Sequence, residues 1–302
     1  MSGRVIEIGS DGKHLSVYRG FLKVSEKGSE TARAALDDIC SIIVSGHGIT
    51  YSNDLIVRLA ERNIWLVACG NNYQPAAWLW PADAHSVEAQ RLDLQTSLSK
   101  PQKKRVWADL VRCKISGQIE VLDVLGRGHA QLGQIRSKVR SGDEGNCEAL
   151  AAAVYWKSLF GSNFRRDRRS AGVNAALNYG YTVLRSCVSR SITGAGLHPN
   201  LPLHHRNKYS GFRLTDDLME VFRPVVDITV HQLAQQYDLN ELDPEVRASL
   251  ASILEHDVLI EKERQKLSEA TRLMTHSFVD LCSGRVKKIT LPRSLAVDEI
   301  AS

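Results

Sequence analysis

The pattern of apolar and polar positions changes character near residue 80. Before that point it alternates over short runs. RVIEI, HLSVYRGFLKVSE and CSIIVSG are β-rich segments punctuated by Asp-Gly, Arg-Gly and Gly-His-Gly turn signals. SNDLIVRLAERN predicts a short amphipathic helix, capped by Ser52 or Asn53, with Leu55, Ile56 and Leu59 on one face. NIWLVACG reads as a buried strand and AAWLW as another, with Pro75 and Pro81 flanking the second.

From about Ser86 the period becomes helical. SVEAQRLDLQTSLSK, QKKRVWADLVRCKISGQIEVLDVL, CEALAAAVYWKSLF, AGVNAALNYGYTVLRSCVSRSI, RLTDDLMEVFRPVVDITVHQLAQQY, EVRASLASILEHDV and EKERQKLSEATRLMTHSFVDLCSG all fit it. Strands followed by a run of helices predict an α+β chain or two domains. No repeat of 20–50 residues interrupts this order.

Composition narrows the picture. At 302 residues and 43% hydrophobic, the chain can bury a sizeable core. The net charge of +5 points to an anionic partner only where the charge is clustered. Cys40, Cys69, Cys113, Cys147, Cys187 and Cys282 form no CxxC pair and no zinc spacing, so they read as reduced core thiols. MSGRVIEIGSDGK lacks the apolar core of a signal peptide, and no apolar run reaches the roughly 18 residues that cross a bilayer. The expectation is a cytoplasmic protein with no membrane partner.

Candidate chemistry concentrates in LHPNLPLHHRNKYSGFRLTDDLMEVFRP, residues 197–224. A Pro- and Gly-broken segment carrying His198, His204 and His205 runs into a helical pattern. There Leu214, Leu218, Val221 and Val225 form the apolar stripe and Asp217 and Glu220 share a face. Pro224 has no N–H for the carbonyl of Glu220, which predicts a kink just after that residue. Acids in a first helical turn are also explained by the macrodipole alone. Adjacent histidines point opposite ways in an extended segment, so at most one enters a given site. Asp143, Glu144 and Glu148 offer a third carboxylate. Glu148 is the most telling, because it lies beside Ala149, Ala151, Ala152 and Tyr155, where an unpaired carboxylate is unfavourable. One histidine with two carboxylates suits Mg²⁺ or Mn²⁺; His198 and His205 with Glu220 would instead make a non-haem iron site.

Basic residues cluster as well. KPQKKR holds Lys100, Lys103, Lys104 and Arg105, and NFRRDRRS holds Arg165, Arg166, Arg168 and Arg169. Such clusters match a phosphate backbone, although ordinary surface charge explains them equally.

These segments together resemble the CRISPR-associated integrase family, over essentially the whole chain. GLHPNLPLHH looks like the family's Gly-Leu-Asp-Pro-x-x-Gly-x-x-His segment, and LTDDLMEVFRPVVD like its Leu-x-x-Asp-Leu-x-Glu/Asp-x-Phe-Arg-Pro signature. AGVNAALNYGYTVL resembles the Asn-Ala-x-Leu-Asn-x-x-Tyr helix through Asn174, Leu177, Asn178 and Tyr181. Glu148 falls within an E-A-x-A-A-x-x-Y pattern. His198 stands where the family usually has Asp, and Pro202 where it usually has Gly. Glu220 stands where many members have Asp; with the short length and β-rich start, it looks like the type II branch, beside the single-effector nucleases.

The resemblance implies an N-terminal β-sandwich domain, residues 1–80, for dimerisation and assembly. A larger all-α domain, residues 81–302, would carry catalysis and DNA binding. It implies Glu148, His205 and Glu220 as catalytic metal ligands for Mg²⁺ or Mn²⁺, and Asp217 as the supporting acid. Arg165, Arg166, Arg168, Arg169, Lys103 and Lys104 would meet DNA. The implied activity joins 3′-OH ends of captured double-stranded DNA to CRISPR repeat DNA by transesterification. The implied partners are a second copy of the chain and a dimer of a small ferredoxin-like CRISPR-associated protein. A purely hydrolytic nuclease and a non-catalytic DNA scaffold are the alternatives that the residues leave open.

Overall fold

The computed structural model describes residues 3–82, 86–204 and 211–301. Its first part holds β1 (Arg4–Ile8), β2 (His14–Tyr18), β3 (Phe21–Glu26), β4 (Ser29–Ala35), β5 (Ile39–Val44), β6 (Thr50–Tyr51), α1 (Asn53–Glu61), β7 (Trp65–Cys69) and β8 (Pro75–Leu79). Two four-stranded sheets result, ordered β1-β5-β7-β8 and β4-β3-β2-β6. In the first, β5 pairs parallel with β1 and β7, and β8 returns antiparallel. β5 is buried along its whole length, as a mostly apolar run predicts for a strand covered on both faces.

Both faces of β5 are used. Ile42 and Val44 meet Leu15, Leu22 and Val24 of the second sheet, and Leu55 and Leu59 of α1 close that core. Ser52 caps α1 by accepting the Leu55 N–H at 3.2 Å. On the opposite face Ile43 joins the large helical core, and Ser41 shares a hydrogen bond of 2.8 Å with Ser186.

The helical part holds α2 (Glu88–Thr96), α3 (Lys100–Val124), α4 (Ala130–Ser137), α5 (Cys147–Phe160), α6 (Val173–Gly194), α7 (Arg213–Met219), α8 (Arg223–Gln236) and α9 (Pro244–Ala251). β9 (Asp257–Ile260), β10 (Glu263–Lys266), α10 (Leu267–Cys282), β11 (Pro292–Ser294) and α11 (Asp298–Ala301) complete it. α3 starts on a capping box between Ser99 and Gln102, with Pro101 in its first turn. α6 runs through the centre, buried along most of its length. Gly180 lets α8 approach it: a Cβ there would stand 2.5 Å from Val226 Cγ1.

The chain is thus α+β, a β-sandwich followed by a helical region, as the sequence implies. One feature of the helical region departs from the periodicity. β9, β10 and β11 form a three-stranded sheet, where EKERQK reads as the start of a helix. Glu261, at φ 57°, and Lys262 turn the chain so that Glu263 pairs with Ile260. Val258 and Ile260 point into the core with a period of two, and four residues are too few for that period to show. All six cysteines are free thiols, four of them buried. Among the described residues no helix is long and apolar enough to cross a membrane.

Candidate active site

Glu148 sits in the first turn of α5, and the chain before it fixes that position. Asp143 accepts the N–H of Cys147 and the N–H of Glu148, each at 2.9 Å, one on each carboxylate oxygen. Two otherwise orphaned helix-terminal donors are satisfied in this way. Asn146, at φ 51°, turns the chain into the helix. Leu150 is exposed, whereas Ala151 and Tyr155 are buried, so Glu148 lies at the border between core and surface.

Glu220 follows α7 on a single 3-10 turn, Glu220–Phe222. Here the break expected from Pro224 is realised. The Glu220 carbonyl accepts from the N–H of Arg223 instead of the residue after it, and Pro224 occupies the first turn of α8. The turn buries the Glu220 side chain.

Glu148 and Glu220 come from separate helices and meet on one group, the ammonium of Lys114 from α3. Lys114 Nζ lies 2.6 Å from Glu220 Oε2 and donates to Glu148 Oε1. Lys114 is only 6% exposed. Burial opposes its charge, but Glu220 and then Glu148 outweigh burial, so its pKa is raised. Arg223 Nη2 lies 3.0 Å from Glu220 Oε1, and its guanidinium rests 4.7 Å above the Tyr181 ring. Its pKa is raised too: burial opposes the charge, and Glu220, Tyr181 and Asp216 outweigh it. Beneath this layer Tyr181 donates to Asp227. Burial pushes the Asp227 carboxyl up to about 7, against the lowering pull of Tyr181 and Arg223.

Asp217 is fully buried, and Oδ2 accepts the N–H of Leu203 at 2.7 Å and of His204 at 3.1 Å. Asp217 therefore anchors the backbone at Leu203 and His204. His205 itself lies outside the described residues. His204 stacks on Trp107 with ring centroids 4.4 Å apart and planes parallel. His198 is engaged away from the carboxylate pair: its ring meets Trp80 and its Nδ1 accepts the Asn200 N–H at 3.2 Å. That arrangement gives no support to an iron site built on His198.

Among the described residues no three His, Cys, Asp or Glu side chains are close enough together to hold a metal ion. Glu148 and Glu220 supply two. Their donors fit a hard divalent cation in kind: carboxylate oxygens, converging on a position already held by positive charge.

The basic residues divide by direction. Arg166 turns inward and donates to Asn174 Oδ1 at 2.9 Å and Asn178 Oδ1 at 2.7 Å. The carbonyl of Arg168 accepts from Asn72, Gln74 and Asn178, which ties the loop to the β-rich part. Burial lowers the Arg168 pKa, with Arg223 and Arg185 adding to the effect. Arg165, Arg168 and Arg169 are exposed, as is Lys104, which pairs with Glu144 at 2.8 Å; Lys103 is half-buried.

Lys114 is the site residue that sequence reasoning misses. Its signal is a cation on an apolar stripe, in step with Trp107, Leu110, Val111, Gln118 and Val121 of α3. A lysine in that register needs a buried partner.

A family model for CRISPR associated protein Cas1 matches residues 6–270. The chain is similar to the CRISPR-associated endonuclease Cas1 of Neisseria meningitidis serogroup C (strain 8013), 37% identical over 303 residues, covering 99% of each chain. Its fold is similar to that of a casposase bound to integration product, with a TM-score of 0.79, 18% identity and coverage of 95% and 92%. A Cas6-RT-Cas1–Cas2 complex gives a TM-score of 0.77 at 16% identity, covering 95% of this chain and 36% of that one. On the family match and the full-length likeness, this chain belongs to the Cas1 family of CRISPR-associated proteins.

Proposed function

We propose that the chain is a metal-dependent DNA integrase of CRISPR adaptation, which joins the 3′-OH ends of captured spacer DNA to the repeat by transesterification. The observation that carries this reading is the convergence of Glu148 and Glu220, from separate helices, on one buried cationic position. Glu148, Glu220 and His205 are the proposed ligands. Mg²⁺ or Mn²⁺ held there would polarise the scissile phosphate and lower the pKa of the attacking 3′-OH.

The chain's own residues prepare that chemistry. Asp143 sets Glu148 at the start of α5, and Arg223 orients Glu220 from the side away from Lys114. Asp217 fixes the backbone that delivers His205. One phosphodiester replaces another, so the reaction needs no nucleotide cofactor. Arg165, Arg168, Arg169 and Lys104 present exposed charge for the DNA backbone, with Lys103 and Arg166 behind them. Residues 1–80 are proposed to serve dimerisation and assembly, and residues 81–302 catalysis and DNA binding. The proposed assembly is a homodimer working with a dimer of a small ferredoxin-like partner; the solved neighbour of like fold, a Cas6-RT-Cas1–Cas2 complex, is itself assembled with a Cas partner. Likeness to the Neisseria protein over the whole length supports the type II branch.

A hydrolytic nuclease is the second reading, because the same ligands serve water as nucleophile, and the Neisseria relative is called an endonuclease. The test combines purified protein, short DNA with free 3′-OH ends, supercoiled plasmid, Mn²⁺ and the small partner. Covalent joining that is abolished by EDTA and by Glu220→Ala is the expected result. Cleavage without joining would favour the nuclease. Tight DNA binding with neither product would overturn both in favour of a scaffold.

A further inference from the structure

We propose that Lys114 is a built-in counter-cation and positioning residue: its ammonium keeps Glu148 and Glu220 converged in the metal-free protein, and a divalent ion enters by displacing it. The inference rests on the reading that this carboxylate pair binds metal.

The geometry points to a movable cation. Glu148 comes from α5 and Glu220 from the turn between α7 and α8, so no backbone hydrogen bond links the two carboxylates. Both touch the same ammonium, which puts an oxygen of each within about two hydrogen-bond lengths, roughly 5–6 Å, of the other. Two carboxylates that close repel, and Glu220 is buried. Lys114 offsets this repulsion from a third helix.

Arg223 plays a different part. It takes the other oxygen of Glu220 and is pinned as a planar group over Tyr181. Lys114 ends a four-carbon stem with freely rotating donors and can withdraw, whereas a stacked guanidinium cannot do so readily. In charge, Glu148 and Glu220 balance Lys114 and Arg223 without metal. A divalent ion arriving at the pair competes with Lys114 for Glu148 Oε1 and Glu220 Oε2, because a protonated ammonium donates and cannot ligate. The same residue therefore does two opposed things: it pre-forms the site and weakens its apparent metal affinity.

The experiment compares wild type, Lys114→Met, Lys114→Arg and Glu220→Gln, using Mn²⁺ binding by electron paramagnetic resonance and thermal unfolding in EDTA and in Mn²⁺. Lys114→Met keeps the stem and removes the competitor. The expected result is lower thermal stability in EDTA, a larger Mn²⁺-induced rise than in wild type, and Mn²⁺ affinity tighter by about tenfold. Lys114→Arg, which keeps the charge on a stiffer head, is expected to bind Mn²⁺ no more tightly than wild type. Equal loss of stability with and without Mn²⁺, together with unchanged or weaker Mn²⁺ affinity in Lys114→Met, would overturn the proposal and leave Lys114 a structural ion-pair partner. Should Lys114→Met fail to fold even with Mn²⁺ present, Lys114→Arg decides alone: Mn²⁺ affinity above wild type overturns the proposal, and equal or weaker affinity upholds it. Failure of the metal reading is separate. It would show as Mn²⁺ binding by none of the variants, or as binding that Glu220→Gln leaves intact.

Discussion

Asp143 and Glu148 are joined end to backbone: Asp143 Oδ2 accepts the Glu148 N–H at 2.9 Å while Oδ1 accepts that of Cys147. The carboxylate that caps α5 thus places the carboxylate proposed to do chemistry. Replacing Asp143 with Ala removes the cap, worth about 1 kcal/mol, and lowers Tm by about 2–4 °C. The joining rate is expected to fall further than that loss of stability accounts for, because the first turn of α5 frays where Glu148 sits. Asp143→Asn, which keeps one of the two acceptors and turns an amide NH2 toward the other N–H, restores only part of the Tm and of the rate. Thermal unfolding with single-turnover joining separates the two effects; a rate that merely tracks Tm would remove the positioning role.

Asp217 has the same kind of role toward the histidine segment. Its buried Oδ2 takes the N–H groups of Leu203 and His204. In Asp217→Ala both donors lose their acceptor, at about 1–3 kcal/mol for a buried polar group left unsatisfied. Hydrogen exchange at the Leu203 and His204 amides is expected to accelerate at least tenfold, with strand joining abolished and DNA affinity kept. Unchanged exchange at those two amides would show that the segment is held by other means.

How much of this was legible in the sequence depends on how many residues carried each signal. β5 announced itself because five of its six residues are apolar and all six are buried. The long helices did so because their stripes repeat over several turns. Glu148 and Glu220 were reachable through local patterns standing in a fixed order. The pairing that joins them was not, because Lys114 lies 34 residues before Glu148 and comes from another helix. A single lysine in a 25-residue helix reads as surface unless its register is checked. Direction was equally hidden in the arginine loop. Four arginines in five residues show charge density, but only the fold shows Arg166 turned onto Asn174 and Asn178. The three-stranded sheet escaped because Glu-Arg-Gln-Lys carries no apolar alternation, and its strand is defined by pairing with β9.

That division of the arginines predicts two distinct phenotypes. Arg165 and Arg169 are exposed, so Arg165→Ala/Arg169→Ala is expected to fold normally. It would lower the steepness of log Kd against log salt by up to about 2 units, roughly 0.9 for each phosphate no longer neutralised. Arg166→Ala leaves the buried Asn178 Oδ1 without its donor and Asn174 Oδ1 with only the Asp167 N–H, and is expected to lower Tm by several degrees. Fluorescence anisotropy across a salt series, paired with melting curves, tests both. A double variant with an unchanged salt slope would take the loop out of the DNA interface.

Asp227 makes stability depend on pH in an unusual direction. Its carboxyl is fully enclosed by the fold and takes a hydrogen bond from Tyr181, yet burial dominates and raises its pKa from the ordinary 3.8 to about 7. The folded protein therefore holds this proton more tightly than the unfolded chain does. The resulting stabilisation is complete below about pH 4 and is lost as pH rises toward about 7, above which the ionised carboxylate remains buried. Most carboxylates act the other way, being paired and depressed, so the contribution of Asp227 is best seen by subtraction. Asp227→Asn keeps the shape and a polar partner for Tyr181 but cannot ionise. The difference in unfolding free energy between wild type and Asp227→Asn is expected to move in favour of the variant between pH 5 and 8 and to be flat above that. Denaturant unfolding at half-unit pH steps measures it directly. A difference that stays constant across the range would mean that Asp227 is already ionised at pH 5, held by Arg223 against the pull of burial.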